Sequence, residues 1–265
     1  MVTTFRPLNI TWELLPDDYI LPDDLLNYRT HPALASALNE ILSTAHRIPE
    51  MAITGTNYGI CATVNGKLVI KAPDWFYVPQ VTVPKDVINR SYTPRLQGDT
   101  PTVVMEFISH TEGGEYSTKP TYPPGKWFFY EQVLQVPHYI IFEPDAPRLE
   151  VYRLERGRYN LREDGEGDPH QRTDRYWIPE LNLALGVWEG TWQERTGYWL
   201  RWWDEGGNLL LFGSELAAQE HQRAEAAQRE AEAAQREAAA ERRKTEQLLA
   251  QLRAAGLEPD WGANP

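Results

Sequence analysis

Three residues in the middle of the chain, Asp74, Glu106 and Lys126, have the types needed for hydrolytic chemistry. Glu106 lies inside the apolar run Val-Val-Met-Glu-Phe-Ile-Ser at 103–109. An unpaired carboxylate buried there would cost several kcal/mol, so a cation, a basic side chain, a raised pKa or a solvated strand face must compensate it. Asp74 begins a second short apolar run, and Lys126 precedes a predicted helix.

If the strands that carry Asp74 and Glu106 pair, both carboxylates can project to the same side of one sheet edge. A divalent cation relieves the repulsion between two such groups, and Mg²⁺ or Mn²⁺ suits oxygen ligands. The ion lowers the pKa of a bound water and neutralises phosphate charge, while a lysine stabilises developing charge. This combination predicts phosphodiester hydrolysis, with Asp74 and Glu106 as metal ligands and Lys126 as a third catalytic residue.

Each of these residues also has a purely structural interpretation. Pro73-Asp74 is a common strand-entry pair in which the Asp caps a turn. A salt bridge would satisfy Glu106, and Lys126 after Pro-Pro-Gly is compatible with an ordinary solvated lysine. Cys61 has no assignable His and acid partners, so we interpret it as a small hydrophobic residue.

The elements that must position these residues follow from hydrophobic spacing and turn signals. Leu34, Leu38, Ile41 and Leu42 predict an amphipathic helix at 31–45, and Asn65-Gly66 predicts a hairpin turn within 61–70. Further predicted elements are strands at 72–78, 102–109 and 138–144, a loop at 79–100, a helix at 127–136 and antiparallel strands over 148–213. The order strand, helix, strand from 102 to 144 predicts a crossover unit in a mixed sheet.

The end of the chain has a different composition. Ala-Glu-Ala-Ala-Gln-Arg-Glu at 224–230 repeats at 231–237, and the seven-residue period continues toward Leu248 and Leu252. This pattern predicts a charged, Ala-rich coiled-coil helix at 214–255 that forms a homodimer or binds a protein partner. A long solvated spacer helix remains the alternative. We expect a nuclease-like domain at 1–213, with its core at about 10–190 and a β-rich extension to 213. We also expect a flexible tail at 256–265.

Composition restricts the class of protein. The 265 residues carry a net charge of −12, which argues against a general nucleic-acid coat protein but allows a local basic patch. One cysteine leaves no pair for an internal disulfide, and the first residues lack the pattern of a secretory signal, so we expect a cytoplasmic location. No apolar stretch approaches the roughly 20 residues of a membrane span.

Several of these motifs together resemble the Uma2 family, also called DUF820, within the PD-(D/E)XK nuclease superfamily. They are Ala-Pro-Asp-Trp at 72–75, the run at 103–109, Lys126 followed by Tyr130, and Val-Pro-His-Tyr-Ile-Ile-Phe-Glu-Pro at 136–144. The resemblance spans roughly 10–190 and implies an α/β (α+β), restriction-endonuclease-like mixed sheet flanked by helices. It also implies a Mg²⁺-dependent endonuclease acting on DNA, with Asp74, Glu106 and Lys126 in the motif positions.

The chain departs from the superfamily pattern at two positions. Ile108 stands where the lysine usually follows the second acid, so Lys126, with Lys119 as its competitor, must supply the ammonium. Tyr122 stands where relatives tend to have an Asp. A first-helix acid is common in the superfamily, which makes Glu40 a supporting candidate, with His31 nearby.

Two further functions remain open from the sequence. A nuclease fold that has lost activity would act as an interaction module through its coiled-coil tail. The other is a carbohydrate-binding module, in which Trp side chains would stack on sugars. It is suggested by five residues, although such residues more often pack in a core: Trp188, Trp192, Trp199, Trp202 and Trp203.

Overall fold

The computed structural model describes residues 8–14, 30–108, 114–162 and 174–256. The chain divides into two compact units, Met1–Phe212 and Gly213–Pro265. The described strands all lie in the first unit, and one long helix forms the described part of the second. The predicted tail at 256–265 falls outside the described residues except for Gly256.

Thirteen strands and three helices are described in chain order. The strands are β1 (Ile10–Thr11), β2 (Ile53–Gly55), β3 (Gly59–Val64), β4 (Lys67–Lys71), β5 (Trp75–Val78), β6 (Ser91–Tyr92), β7 (Val103–Phe107), β8 (His138–Glu143), β9 (Arg148–Glu155), β10 (Arg158–Leu161), β11 (Arg175–Ile178), β12 (Leu183–Trp192) and β13 (Arg195–Trp203). The helices are α1 (Thr30–Thr44), α2 (Lys126–Phe128) and α3 (Gly213–Ala254). Short 3₁₀ and π segments occupy Lys85–Val87 and Phe129–Leu134.

A six-stranded sheet in the order β10-β9-β8-β7-β5-β2 forms the centre of the first unit. β7 and β8 run parallel, whereas the other neighbours are antiparallel. α2 and the π segment lie in the connection between the parallel strands, as a crossover requires. The mixed sheet confirms the predicted restriction-endonuclease-like α/β fold.

Side chains alternate across the central sheet and enter two separate cores. One core joins α1 and β11–β13 to eight residues of the central sheet: Trp75, Tyr77, Val103, Met105, Phe107, Ile140, Phe142 and Val151. The other core joins β3, β4 and the π segment to six: Phe76, Val78, Val104, Tyr139, Ile141 and Tyr159. Because strand side chains alternate, Glu106 projects with Val104 toward the second core.

The smaller sheets agree with the sequence predictions. β3 and β4 form the expected hairpin, in which Asn65 and Gly66 have φ values of 52° and 74°. Cys61 is buried in β3, as expected of a small hydrophobic residue. In the β11-β12-β13 sheet, Trp192, Trp199, Trp202 and Trp203 are buried and Trp188 is half-buried. These five indoles are core packing, not an exposed platform for stacking on sugars.

The predicted helix at 31–45 is confirmed by α1, but the predicted helix at 127–136 differs in type. Only Lys126–Phe128 is α-helical, and the next six residues form a π-helical segment that ends before Gln135, whose φ is 58°. The apolar spacing is similar in both helix types, so sequence periodicity did not distinguish them.

α3 contains 42 residues, and none of them is buried. Ion pairs between residues four apart, such as Arg229 with Glu225 and Arg236 with Glu232, run along its surface. These pairs and its Ala, Glu, Gln and Arg content favour a continuous helix. Among the helices that the structure describes, none is long and apolar enough to cross a membrane.

Candidate active site

Asp74 and Glu106 come together through the pairing of β5 with β7. The register places Trp75 opposite Met105 and Phe76 opposite Val104. Extending this register by one residue beyond the paired strands sets Asp74 opposite Glu106. Residues opposite each other in an antiparallel pair project to the same side, so the two carboxylates meet at this end of the pair.

Asp74 is held by its neighbours at both oxygens. The backbone N–H of Phe107 donates to Oδ2 at 2.6 Å, and Nδ1 of His31 lies 3.2 Å from Oδ1. His31 stands in the first turn of α1 with its ring against the edge of Phe107. The structure therefore brings His31, one of the two supporting candidates, directly to Asp74.

Glu106 is a fully buried carboxylate with two protein partners. Nζ of Lys126 lies 3.0 Å from Oε2, and the hydroxyl of Tyr130 donates to Oε1 at 2.9 Å. The pKa of Glu106 is raised to about 7: burial is the largest cause, Lys126 and Tyr130 oppose it, and the nearby Asp74 carboxylate adds to it. The contribution of Asp74 shows that the two carboxylates lie within electrostatic range of each other.

Lys126 reaches back from the start of α2 to the central sheet. Burial alone would lower its pKa, but the carboxylates of Glu106 and Glu115 outweigh that effect and raise the pKa above its usual value. The side chain therefore remains an ammonium at neutral pH. Lys119 is exposed, and Ile108 is half-buried against the second core. Of the two candidate lysines, Lys126 is the one that contacts Glu106.

Glu115 is a site residue that the sequence reasoning missed. Its Oε1 lies 3.4 Å from Nζ of Lys126, whereas its Oε2 is buried with no hydrogen-bond partner among the described residues. The hydroxyl of Tyr139 donates to the backbone oxygen of Glu115 at 2.9 Å and fixes the loop against β8. Relatives tend to have an Asp at the position of Tyr122, which is exposed in this chain. Glu115 nevertheless provides an acid beside Lys126.

The loop before α2 is packed closely enough to require a glycine at its end. A Cβ at Gly125 would lie 2.0 Å from the backbone oxygen of Ser117. The N–H of Gly125 also donates to the oxygen of Lys119 at 2.9 Å. This folding back of 114–125 is what brings Glu115 to Lys126, eleven residues away, and no local sequence spacing encodes such an approach.

Glu40, the other supporting candidate, is half-buried in α1, nine residues beyond His31, which corresponds to about 13 Å along the helix at 1.5 Å per residue. Within the parts of the chain that the structure describes, no group of three or more His, Cys, Asp or Glu side chains is arranged to hold a metal ion. The role of Glu40 as a first-helix acid therefore stays a prediction.

The two facing carboxylates still fit a magnesium ion by their chemistry. Mg²⁺ is commonly held by one or two carboxylates, with waters and substrate phosphate completing its coordination. Among the residues that the structure describes, each oxygen of Asp74 and Glu106 has one protein partner, and a carboxylate oxygen has a second lone pair. A cation would also offset the cost of burying Glu106. The oxygen donors present are consistent with Mg²⁺ or Mn²⁺.

Comparison with known proteins identifies a family for this chain. The Uma2 family model, described as "Putative restriction endonuclease", matches residues 27–188, which is more than half of the chain. No curated protein matches the chain. The family description corresponds to nuclease, and hence hydrolase, activity. The matched range contains Asp74, Glu106, Glu115 and Lys126, and the chain belongs to the Uma2 family.

Proposed function

We propose that the protein is a Mg²⁺- or Mn²⁺-dependent endonuclease that hydrolyses phosphodiester bonds in DNA. This proposal is supported by one arrangement: Oδ2 of Asp74 accepts a hydrogen bond from the N–H of Phe107, the residue after Glu106, and the Lys126 ammonium lies 3.0 Å from Glu106. Membership of a family described as restriction endonucleases supports nucleic acid as the substrate.

Asp74 and Glu106 would hold the ion, which supplies an activated water and neutralises phosphate charge. Phe107 N–H and His31 orient the Asp74 carboxylate, while Tyr130 orients that of Glu106. These contacts restrict both side chains before substrate arrives, which limits the reorganisation that catalysis would otherwise require.

Lys126 acts in this proposal as a fixed positive charge and not as a base. Its raised pKa keeps Nζ protonated, so the ammonium stabilises negative charge that develops on the phosphate oxygens as water attacks. Glu115 serves as a positioning residue, since its Oε1 lies 3.4 Å from the ammonium and is the second carboxylate oxygen that contacts it, after Oε2 of Glu106. The net charge of −12 indicates that DNA binding depends on such local contacts.

The test is a cleavage assay on single-stranded, duplex and branched DNA with Mg²⁺, Mn²⁺ or EDTA. We expect cleavage that requires the divalent ion and is lost in Asp74→Asn and in Glu106→Gln. Glu155→Gln, a matched change at an exposed glutamate, should retain the wild-type rate. Activity that survives both active-site substitutions would contradict the site assignment.

A catalytically degenerate nuclease fold that acts through α3 is the second candidate. Two observations favour it: Lys126 already neutralises Glu106, and the described residues hold no three-ligand metal group. Isothermal titration that detects no Mg²⁺ or Mn²⁺ binding, together with a change of oligomeric state when residues 214–265 are removed, would support this candidate over the enzyme.

A further inference from the structure

The face of α3 that carries the heptad core positions is open to solvent. With Ala224 at position a, the a and d positions run through Ala231, Ala238, Thr245 and Leu252 and through Ala227, Ala234, Glu241 and Leu248. Leu248 is 60% exposed and Leu252 37% exposed. Exposed large aliphatic side chains on an otherwise polar helix favour burial against a second helix. Three properties of α3 indicate whether that second helix runs parallel or antiparallel to it.

The first property is the distribution of charge along the helix. Residues 225–239 contain four acidic and two basic side chains, a net charge of −2, whereas residues 240–254 contain two acidic and four basic, a net charge of +2. A second copy running in the opposite direction places each acidic half beside a basic half. A parallel copy would instead place like charge beside like charge.

The second property is side-chain size along the core positions. Antiparallel helices pair a positions with d positions, and one such register sets Ala231 against Leu248 and Ala227 against Leu252 of the other copy. Every large residue then meets a small one, and the axes stay evenly spaced. Parallel pairing sets Leu against Leu at one end and Ala against Ala at the other, which requires the helices to diverge.

The third property is the placement of Glu241 and its neighbours. In a parallel pair, Glu241 would face Glu241 of the other copy inside the core, where like charges repel. In the antiparallel register it faces Ala238, and Glu237 lies beside Lys244 of the other copy at both symmetric positions. The same register therefore satisfies charge, size and the single acidic core position.

We propose that α3 pairs with α3 of a second copy of this chain as an antiparallel coiled coil, in the register that sets Ala231 against Leu248. The two-fold axis crosses the helices near residues 239–240, which makes the interface isologous and closed, so the assembly stops at a dimer. This pairing is independent of the proposed nuclease activity.

Cysteine cross-linking in the full chain tests the direction and the register together. Two variants, Ala231→Cys and Leu248→Cys, are prepared separately, mixed, allowed to exchange and then oxidised. The antiparallel register predicts a disulfide between the two different variants and little cross-linking of either variant alone. The unsubstituted chain, whose only cysteine is the buried Cys61, is the background control.

The opposite results are equally specific. Cross-linking of each variant with itself, and not with the other, would show parallel pairing and overturn the proposal. A monomer in sedimentation equilibrium of the unsubstituted chain, with no cross-link in any mixture, would show that α3 is a solvated helix stabilised by its own ion pairs.

Charge exchange provides a second measurement that does not depend on thiol chemistry. Glu237→Lys and Lys244→Glu each create two like-charge contacts in the antiparallel dimer, and each should raise the dimer dissociation constant about ten-fold. An equimolar mixture of the two variants restores both attractive contacts and should form heterodimers. In a parallel pair, residue 244 has no charged counterpart across the interface, so failure of the mixture to recover would contradict the proposed register.

Discussion

The backbone N–H of Phe107 donates a 2.6 Å hydrogen bond to Oδ2 of Asp74, across the junction of β5 and β7. This bond fixes the acid that precedes one strand to the residue that follows Glu106 in the next. The distance between the two acids is thereby set by sheet pairing, which is among the most rigid features of a fold. The proposed metal site depends on this contact.

Asp74 should therefore show different responses to loss of charge and loss of the acceptor. Asp74→Asn retains an oxygen for the Phe107 N–H, so we expect a melting temperature near that of the wild type, with cleavage lowered at least about 100-fold. Asp74→Ala leaves that N–H without its partner and should cost a further 1–3 kcal/mol, roughly, in unfolding free energy. Equal stability of the two variants in thermal denaturation would contradict this role of the bond.

Lys126→Met removes the ammonium between two buried carboxylates. We expect a loss of about 3–5 kcal/mol in unfolding free energy, because Glu106 and Glu115 then lack their counter-charge. Added Mg²⁺ should recover part of that loss if the ion binds at Glu106. Lys119→Met changes an exposed lysine seven residues earlier and should leave denaturant unfolding and cleavage unchanged. A larger effect of Lys119→Met would reverse the assignment of the site lysine.

Glu115→Gln tests whether Glu115 acts through Lys126. Glu115 is one of the carboxylates that raise the pKa of Lys126, so the substitution should lower that pKa while the ammonium keeps its contact with Glu106. Nitrogen-detected NMR of the lysine side chain measures the shift directly. Glu150→Gln, at a glutamate that hydrogen-bonds Tyr116, is a control that should leave the Lys126 pKa unchanged. An unaltered pKa in Glu115→Gln would show that the two side chains are not coupled.

The raised pKa of Glu106 predicts a pH dependence of stability. Burial raises the folded-state pKa from 4.5 to about 7, so the folded state binds the proton more tightly than the unfolded state does. Protonation of Glu106 therefore contributes its full amount to the free energy of unfolding below about pH 4.5. This contribution falls as pH rises toward 7 and then levels off. The total change is about 3 kcal/mol, at 1.36 kcal/mol per pKa unit. Glu106→Gln lacks this dependence, so its stability relative to the wild type should rise over that range in EDTA.

Mg²⁺ should alter that profile in a defined direction. The ion binds the ionised carboxylate, so we expect it to raise the melting temperature of the wild type at pH 8 and to have little effect at pH 5. Glu106→Gln should show no comparable stabilisation by Mg²⁺ at either pH. Equal Mg²⁺ stabilisation of the wild type and of Glu106→Gln would place the ion elsewhere.

The contact between Glu180 and His138 predicts a separate contribution to stability that is lost in acid. Its carboxylate accepts a 2.7 Å hydrogen bond from His138, and this contact lowers the pKa of Glu180 below its usual 4.5. The lowered pKa means that this stability is present above about pH 4.5 and is lost as pH falls through the folded-state pKa. Glu180→Gln should therefore lose less stability than the wild type during acid unfolding, and identical acid transitions would contradict the assignment.

Local features of the chain were sufficient to predict most elements. Asn65-Gly66 determines its turn because both residues tolerate positive φ, and the two-residue period of a strand puts Glu106 on the same side as Val104 and opposite to Met105. The heptads from Ala224 to Leu252 determine the α3 helix in the same way. These features depend on neighbours within a few residues, so the sequence contains them in full.

Only the tertiary structure decided which side chains reach Glu106. The register of β5 against β7 placed Asp74 opposite it, and the crossover connection brought Lys126 and Tyr130 to it. The path of the 114–125 loop added Glu115, and the position of α1 brought His31 to Asp74. The residue types and their spacing predicted the chemistry of the site. Which residues form the site depends on contacts between segments that are far apart in the chain. Those contacts form only when the two cores pack against the central sheet.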